Sequence, residues 1–530
     1  MRFFLQLRCI LFGAQFHTQF HIFFFTLFPK YRMAKHVQAQ EKSDAQAQIG
    51  SASEHKLVPT LGLYTTVAII VGSMVGSGIF MKPALMASQL GSPLLLLGVW
   101  IGAGLLTFIG ALTNAEIAGM ISATGGQYVF FQRMYGNFVA YLYGWAIFAV
   151  IQTGSIASIT FIFSTYTEYF IQLPRFTPEV EQSFIIHLPF IGKLMPLANI
   201  GVKLLTMFII CLLSFVNYLG VRFGGMIQGV FTTLKVVAMV FLVLSSFIFG
   251  HGNAANFITS APTAAANPST SLIFLVVMAT AGAFWTYDGW NNITYIAGEV
   301  KEPNRTIPRG LLIGMLITIS IYVSINLAYL YILPVEVMAK SKLVAADVAT
   351  AVFGGVGGSL IAACVMLSAF GTSNGTILAS ARVYFAMARE KMFFTSIGKV
   401  HPKFQTPGNA LFLQAFWSCV LVLSGTFDML TDTLIFVTWI FYAMGAYGVF
   451  VLRKKMPDTP RPYKVFGYPF VPAIFVAFAA MYVVITLYND VTAYMIGKSA
   501  LINSVFGLFL VALGLPFYFY FQRKNASEEA

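Results

Sequence analysis

The stretch Val71-Gly72-Ser73-Met74-Val75-Gly76-Ser77-Gly78-Ile79-Phe80 decides how this chain is read. It lies inside a long apolar run, yet it is broken by glycines. A second interrupted run, Phe284-Trp285-Thr286-Tyr287-Asp288-Gly289-Trp290-Asn291-Asn292, follows five apolar segments later. Irregular backbone at membrane depth is tolerated only where it is buried in protein or lines a cavity. Two such breaks at corresponding places in two halves of a chain point to a solute site between repeats of a membrane carrier. A glycine kink used for packing is the bland reading of either break alone. The pairing favours the site.

Composition agrees with a bilayer setting. Of 530 residues, 58% are hydrophobic and only 10% charged, against roughly 25% charged in soluble domains. The net charge of +13 sits in short loops between apolar runs, which argues against nucleic acid as a partner. Cys9, Cys211, Cys364 and Cys419 make no metal or disulfide pattern and read as small apolar fillers. No GxxxxGK[ST] motif is present, so ATP-driven pumping by this chain is not expected. His187, His251 and His401 fall in loops, where none pairs with a nucleophile inside a span. The chain is not expected to be an enzyme, and no cofactor or metal is expected.

About 20 apolar residues cross a bilayer, and about twelve segments qualify. They run from Leu61 to Leu90, Pro93 to Met120, Phe138 to Phe170, Ile200 to Gly220 and Ile227 to Phe249. A second group runs from Ser271 to Ala297, Gly310 to Ile332, Gly358 to Ala388, Ala410 to Leu423 and Leu434 to Leu452. Pro469 to Tyr488 and Leu501 to Phe521 complete the set. The expected fold is all-α and integral to the membrane. The Gly98–Gly102 spacing and the Gly354–Gly358 run are expected to let helices approach closely. Arg133, Arg222, Lys301, Arg305, Arg309, Arg382 and Arg389 lie in one set of alternate loops, with Lys399, Lys403, Arg453–Lys455 and Arg461. The opposite set is sparse. The rich side is cytosolic by the positive-inside rule, and both termini fall on it.

Residues 1–59 read as a cytosolic tail. Phe3 to Phe28 is aromatic-rich but interrupted by Gln15, His17, Gln19 and His21, which suits neither a span nor a signal peptide. Translation from Met33 is the expectation. Residues 60–523 read as the carrier, and 524–530 as a short tail.

The chemistry of the breaks is that of a zwitterion site. Glycines at 76 and 78 let the helix stop and leave backbone amides uncovered. A restarting half-helix offers free N–H groups and a partial positive charge to a carboxylate, and Ser77 can add a hydroxyl donor. The preceding half-helix ends in free carbonyls suited to an ammonium. The second break offers carbonyls near Trp285 and the carboxylate of Asp288. A carboxylate at mid-membrane costs about 2.5–3.5 kcal/mol on insertion scales, so Asp288 should face a polar cavity. Trp285, just before the second break, reads on its own as a packing residue first and as a ring that closes over a ligand second. Lys235, within Phe231-Thr232-Thr233-Leu234-Lys235, is a cation deep in the fifth span. Snorkelling to the nearby span end is the bland alternative; the functional reading sets its ammonium against carbonyls freed by the first break, doing the work of a bound sodium ion. Burial lowers the pKa of a lysine, so it could also exchange a proton. Lys82 and Lys203 lie near span ends and are expected to snorkel.

These residues resemble the L-type amino acid transporters of the amino acid–polyamine–organocation superfamily, in the bacterial single-subunit form. The resemblance is carried by Gly76-Ser77-Gly78-Ile79-Phe80, Tyr287-Asp288-Gly289-Trp290-Asn291, Gly298-Glu299-Val300-Lys301, the Lys235 motif and Arg461-Pro462-Tyr463-Lys464. It implies a 5+5 inverted repeat, 60–249 and 271–453, with discontinuous helices 1 and 6 and two extra helices over 467–522. It implies sodium-independent movement of L-amino acids by alternating access, as exchange, across the inner membrane. By the resemblance, Gly76, Ser77 and Gly78 bind the carboxylate of the substrate. The backbone around Ile70 and near Trp285 binds its amine. Trp285 gates, Lys235 stabilises the first break, and Thr438 and Tyr442 line the side-chain pocket. Asp288 with Trp285 suits neutral and dibasic substrates, with small neutral ones equally compatible. Residues 171–196 hold no cysteine, so no covalent heavy subunit is expected. Gly298 departs from the paired acidic residues of many members. A proton-coupled symporter and a non-transporting amino acid sensor are the rival readings.

Overall fold

The computed structural model describes residues 61–76, 78–121, 125–261, 272–295, 297–404 and 406–529, the side chains of 221–232 and 528–529 excepted. The N-terminal tail and the proposed start at Met33 lie outside these residues. Each apolar segment read from the sequence is helical. The first span is split into α1 (Leu63–Met74) and α2 (Lys82–Leu90), and α3 (Pro93–Met120) is the second. After α4 (Gln127–Tyr135), the third span is α5 (Asn137–Ala146), a π-helical segment Ile147–Ile151 and α6 (Gln152–Thr167). The fourth and fifth are α7 (Ile200–Leu219) and α8 (Val221–Ile248). α9 (Leu272–Thr286) carries the sixth up to its break, and α10 (Pro303–Ile332) is the seventh. α11 (Val344–Arg389), α12 (Gly408–Ser424), α13 (Phe427–Lys455) and α14 (Phe470–Met495) follow. α15 (Asn503–Ala512) and α16 (Gly514–Glu529) form the last. Among the described residues, eight helical stretches are long and apolar enough to cross a bilayer, and four apolar helices are shorter. Two of the short ones, α1 and α9, are short because the breaks cut them.

The packing follows a repeat. α3 lies on α10, α6 on α11 and α7 on α12, so the second, third and fourth spans each meet the span five later. This is the arrangement of two intertwined five-span halves. Large apolar side chains such as Leu94, Phe208, Phe215, Phe416 and Val484 stay exposed, because the surrounding solvent of such a helix is lipid rather than water.

Three sequence expectations are corrected. A Cβ at Gly98 or Gly102 would meet nothing within 4 Å; the close approaches on α3 are Gly104 against the Tyr287 ring and Gly110 against Phe475. In the 354–358 run, Gly358 is packed against Tyr169, whereas Gly354 turns the chain with φ +73° and ψ −169°. Lys82 and Lys203 do not snorkel. They are 0% and 2% exposed, because each finds acceptors inside the protein. Lys203 Nζ donates to the carbonyls of Met195, Pro196 and Leu423, and Lys82 Nζ donates to Asp428 Oδ1.

Candidate functional site

Helix α1 stops where Val75 leaves helical geometry, at φ −67° and ψ 77°. The Gly76 N–H turns back to the Met74 carbonyl at 2.6 Å. Gly78–Phe80 makes one 3-10 turn before α2 begins. The second break is built alike. The Asp288 N–H reaches the Trp285 carbonyl at 3.3 Å, Gly289 takes φ +103°, and Asn292–Tyr295 restarts the helix for one turn. The two breaks touch. A Cβ at Gly289 would lie 2.8 Å from the Ser73 carbonyl oxygen, and one at Gly78 would lie 2.8 Å from Thr286 Oγ1 and the Trp285 ring. Only glycine allows both approaches, and at Gly289 only glycine takes that φ without strain. The chain entering α1 is also joined to the chain leaving the sixth span: the Leu61 N–H donates to the Glu299 carbonyl and the Lys301 N–H to the Leu61 carbonyl.

A broken helix leaves carbonyls without their usual donors. Two buried side chains supply them. Lys235 Nζ donates to the Gly72 carbonyl at 2.8 Å and to Thr372 Oγ1 at 3.2 Å. The Tyr322 hydroxyl, from α10, lies 2.5 Å from the Met74 carbonyl oxygen and 3.0 Å from that of Thr286. One hydroxyl thus bridges the ends of both interrupted helices.

Beside this bridge is a cavity of about 50 Å³. A single water needs roughly 10–15 Å³ of such space, so the cavity admits a small polar group. Ser73, Gly76 and Gly78 line it from the first break, and Trp285, Asp288 and Gly289 from the second. Gln152 and Thr372 close the far wall. A smaller recess of about 10 Å³ continues between Asp288, Thr438, Tyr442 and Gln152. There the Tyr442 hydroxyl donates to Asp288 Oδ1 at 2.5 Å. The Thr438 hydroxyl donates to the Leu434 carbonyl, which leaves its oxygen lone pairs for a ligand. Trp285 is buried and stands edge-on to Phe427, with ring centroids 5.3 Å apart.

Gly76, Gly78, Trp285 and Asp288 therefore meet at one cavity, Thr438 and Tyr442 at its recess, and Lys235 behind the first break. Ser77 lies outside the described residues. Ile70 is not brought to the site. It sits a turn earlier in continuous helix, fully buried, with its side chain against Gly310 and Gly314. Its backbone is engaged in α1, and Ser73 and Met74 line the cavity in its place.

Tyr322 and Gln152 were missed. Tyrosines are common in these spans, and nothing local marks the one whose hydroxyl reaches two helix ends. Gln152 carried a weak signal, being a polar residue in an apolar run. It follows the π-helical segment Ile147–Ile151, a form that recurs at functional sites.

A membrane protein that is helical apart from one short hairpin, Ile186–Leu188 with Gly192–Leu194, and whose two interrupted helices meet at a small polar cavity is a carrier of the two-repeat class. The chain belongs to the Amino acid permease family, which it matches over residues 61–514. It is 30% identical to the serine/threonine exchanger SteT of Bacillus subtilis over 477 residues, 89% of this chain and 99% of that protein. It is 29% identical to the b(0,+)-type amino acid transporter 1 of Mus musculus, over 91% of each chain. It is also 29% identical to the large neutral amino acids transporter small subunit 2 of Homo sapiens, over 91% of this chain and 85% of that one.

Proposed function

We propose that this protein exchanges L-amino acids across the inner membrane by alternating access, without sodium. One observation carries the reading: a restarting helix end at Gly76–Gly78 and the carbonyl end of α9 converge on the same cavity. That pairing suits a carboxylate and an ammonium held at the fixed separation of an α-amino acid. Gly76, Ser77 and Gly78 take the carboxylate. The carbonyls at the ends of α1 and α9 take the amine, and Thr438 and Tyr442 border the side chain. Trp285 is the gate. Lys235 supplies the positive charge that a bound cation would otherwise bring to the first break. Both termini lie in the cytosol, as loop charge requires, and the chain works without a covalently bound heavy subunit.

The relatives' names support amino acids as cargo, and that of SteT supports exchange as the mode. Neutral amino acids are the main substrates, and Asp288 in the cavity wall extends the range to dibasic ones. Counterflow of an amino acid panel in reconstituted vesicles tests the proposal. Exchange requires internal substrate. Uptake into empty vesicles driven by an acid-outside gradient would replace exchange by proton symport, and binding without counterflow would replace it by sensing.

A further inference from the structure

The loop between α13 and α14 is pinned to the protein, yet it turns bare rings outward. Three contacts pin it. The Val465 N–H donates to Glu116 Oε2 at 2.8 Å. The Arg453 guanidinium lies 3.6 Å from the centroid of the Tyr468 ring, a cation–π distance. The Arg461 guanidinium donates to the carbonyls of Leu452, Met456, Pro457 and Thr459, which satisfies orphan acceptors at the end of α13.

Burial alternates along this pinned stretch. Val465 is buried, while Lys464 and Phe466 on either side of it are exposed, the phenylalanine to 80%. Phe470, 74% exposed, opens α14, and Ile474, Met481, Val484 and Tyr488 are exposed beyond it. The spacing of positions 470, 474, 481, 484 and 488 puts them on one helical face. That face is the lipid-facing side of α14, and Phe466 and Phe470 carry it past the helix end. The same end is rich in positive charge. Positions 453–470 hold five basic residues and one acidic one, Asp458. Arg453 and Arg461 lie against Glu116, and Lys455 Nζ donates to the Met134 carbonyl. Lys454 and Lys464 are exposed, and no acceptor among the described residues meets either ammonium.

We propose that this loop binds an anionic phospholipid of the surrounding leaflet, with Lys454 and Lys464 on the headgroup phosphate and Phe466 and Phe470 among the acyl chains. The two halves of the patch together select this occupant. A zwitterionic lipid covers the rings but leaves the two ammonium charges without a net counter-charge. Free phosphate meets the charges but leaves two phenyl rings in water. A second copy of the chain, docked on the same patch, sets like charges against each other. The loop also carries Val465 and Tyr468, which hold Glu116 and Arg453. A lipid that binds only the folded loop therefore stabilises the tie between α3 and α13. The inference needs only that the chain spans a bilayer, and counterflow reports on the carrier reading separately.

The experiment uses the full chain in nanodiscs of mixed phosphatidylglycerol and phosphatidylcholine. The photoreactive p-benzoylphenylalanine is placed at position 466 and, as a reference, at position 484 on the same face. After irradiation, mass spectrometry identifies the adducts on each peptide. Position 466 should take phosphatidylglycerol roughly fivefold above its share of the bilayer, and position 484 in proportion to that share. Lys454→Gln and Lys464→Gln should each lower the excess, and the two together should abolish it. High salt should do the same without any substitution, because exposed charges are screened, so the test stands if a variant fails to fold. Adducts at 466 that simply follow the bilayer composition would overturn the site, leaving ordinary boundary lipid. So would an excess that survives both substitutions and salt, cross-linking to a second copy, or no lipid adduct at all.

Discussion

Three side chains at the junction carry separable duties. Tyr322→Phe removes only a hydroxyl, but that hydroxyl touches the carbonyl ends of both α1 and α9. The Met74 carbonyl keeps the Gly76 N–H, but the Thr286 carbonyl is left short of a donor, worth about 1–3 kcal/mol. Exchange by the phenylalanine variant should therefore slow by roughly tenfold, measured as initial counterflow rate at unchanged expression. Lys235→Ala should abolish most exchange while the protein still elutes as a folded monodisperse species. Full activity in that variant would remove the lysine from the mechanism. Asp288→Asn should weaken arginine uptake more than leucine uptake, and equal effects on both would reject selectivity by charge. Lys235 and Asp288 were legible in the sequence because a charge inside an apolar run is costly and so conspicuous. Tyr322 was not, since a phenol in a span carries no such penalty, and its partners are 248 and 36 residues away in sequence.

The interrupted helices were legible as elements. A glycine cluster in the first run and Gly289 beside Asp288 in the second named both breaks to within a residue or two, because glycine is what allows a helix to stop at that depth. What the sequence did not show was that the breaks lean on each other. Gly289→Ala tests that contact. Its Cβ would press on the Ser73 carbonyl, and its φ of +103° is strained for alanine, together a cost of about 1–3 kcal/mol. The variant should lose thermal stability in detergent and most of its transport. Gly98→Ala on α3, where a Cβ meets nothing within 4 Å, should change neither. Spacing alone misassigned that glycine pair, because a small residue marks a close approach only when another helix is there to approach.

The whole molecule was readable as a class from composition and hydropathy, and its twelve spans fell close to the observed helices. Its long-range ionic ties were not readable, since a charge near a span end looks the same whether it reaches water or a partner. Glu116 shows this near the C-terminal end of α3. Its 1%-exposed carboxylate takes both an Nε and an Nη2 bond from Arg453, at 2.9 and 2.8 Å, and the Val465 N–H at 2.8 Å. This ties α3 to the end of α13 and to the loop beyond it. Glu116→Gln should cost about 2–3 kcal/mol and lower the melting temperature in detergent, without changing the order of preferred substrates. Replacing sodium by choline on both sides should leave exchange by the unaltered protein unchanged, because the Lys235 ammonium already sits on the Gly72 carbonyl at the first break.

The paired backbone bonds between Leu61 and residues 299–301 have a mechanical corollary. They stitch the entrance of α1 to the strand of chain leaving the sixth span, so neither can swing away without stripping two amides of their acceptors. Helix α1 and the half of the sixth span beyond its break are thereby yoked, and whatever motion uncovers the pocket from their side should carry them as one rigid piece.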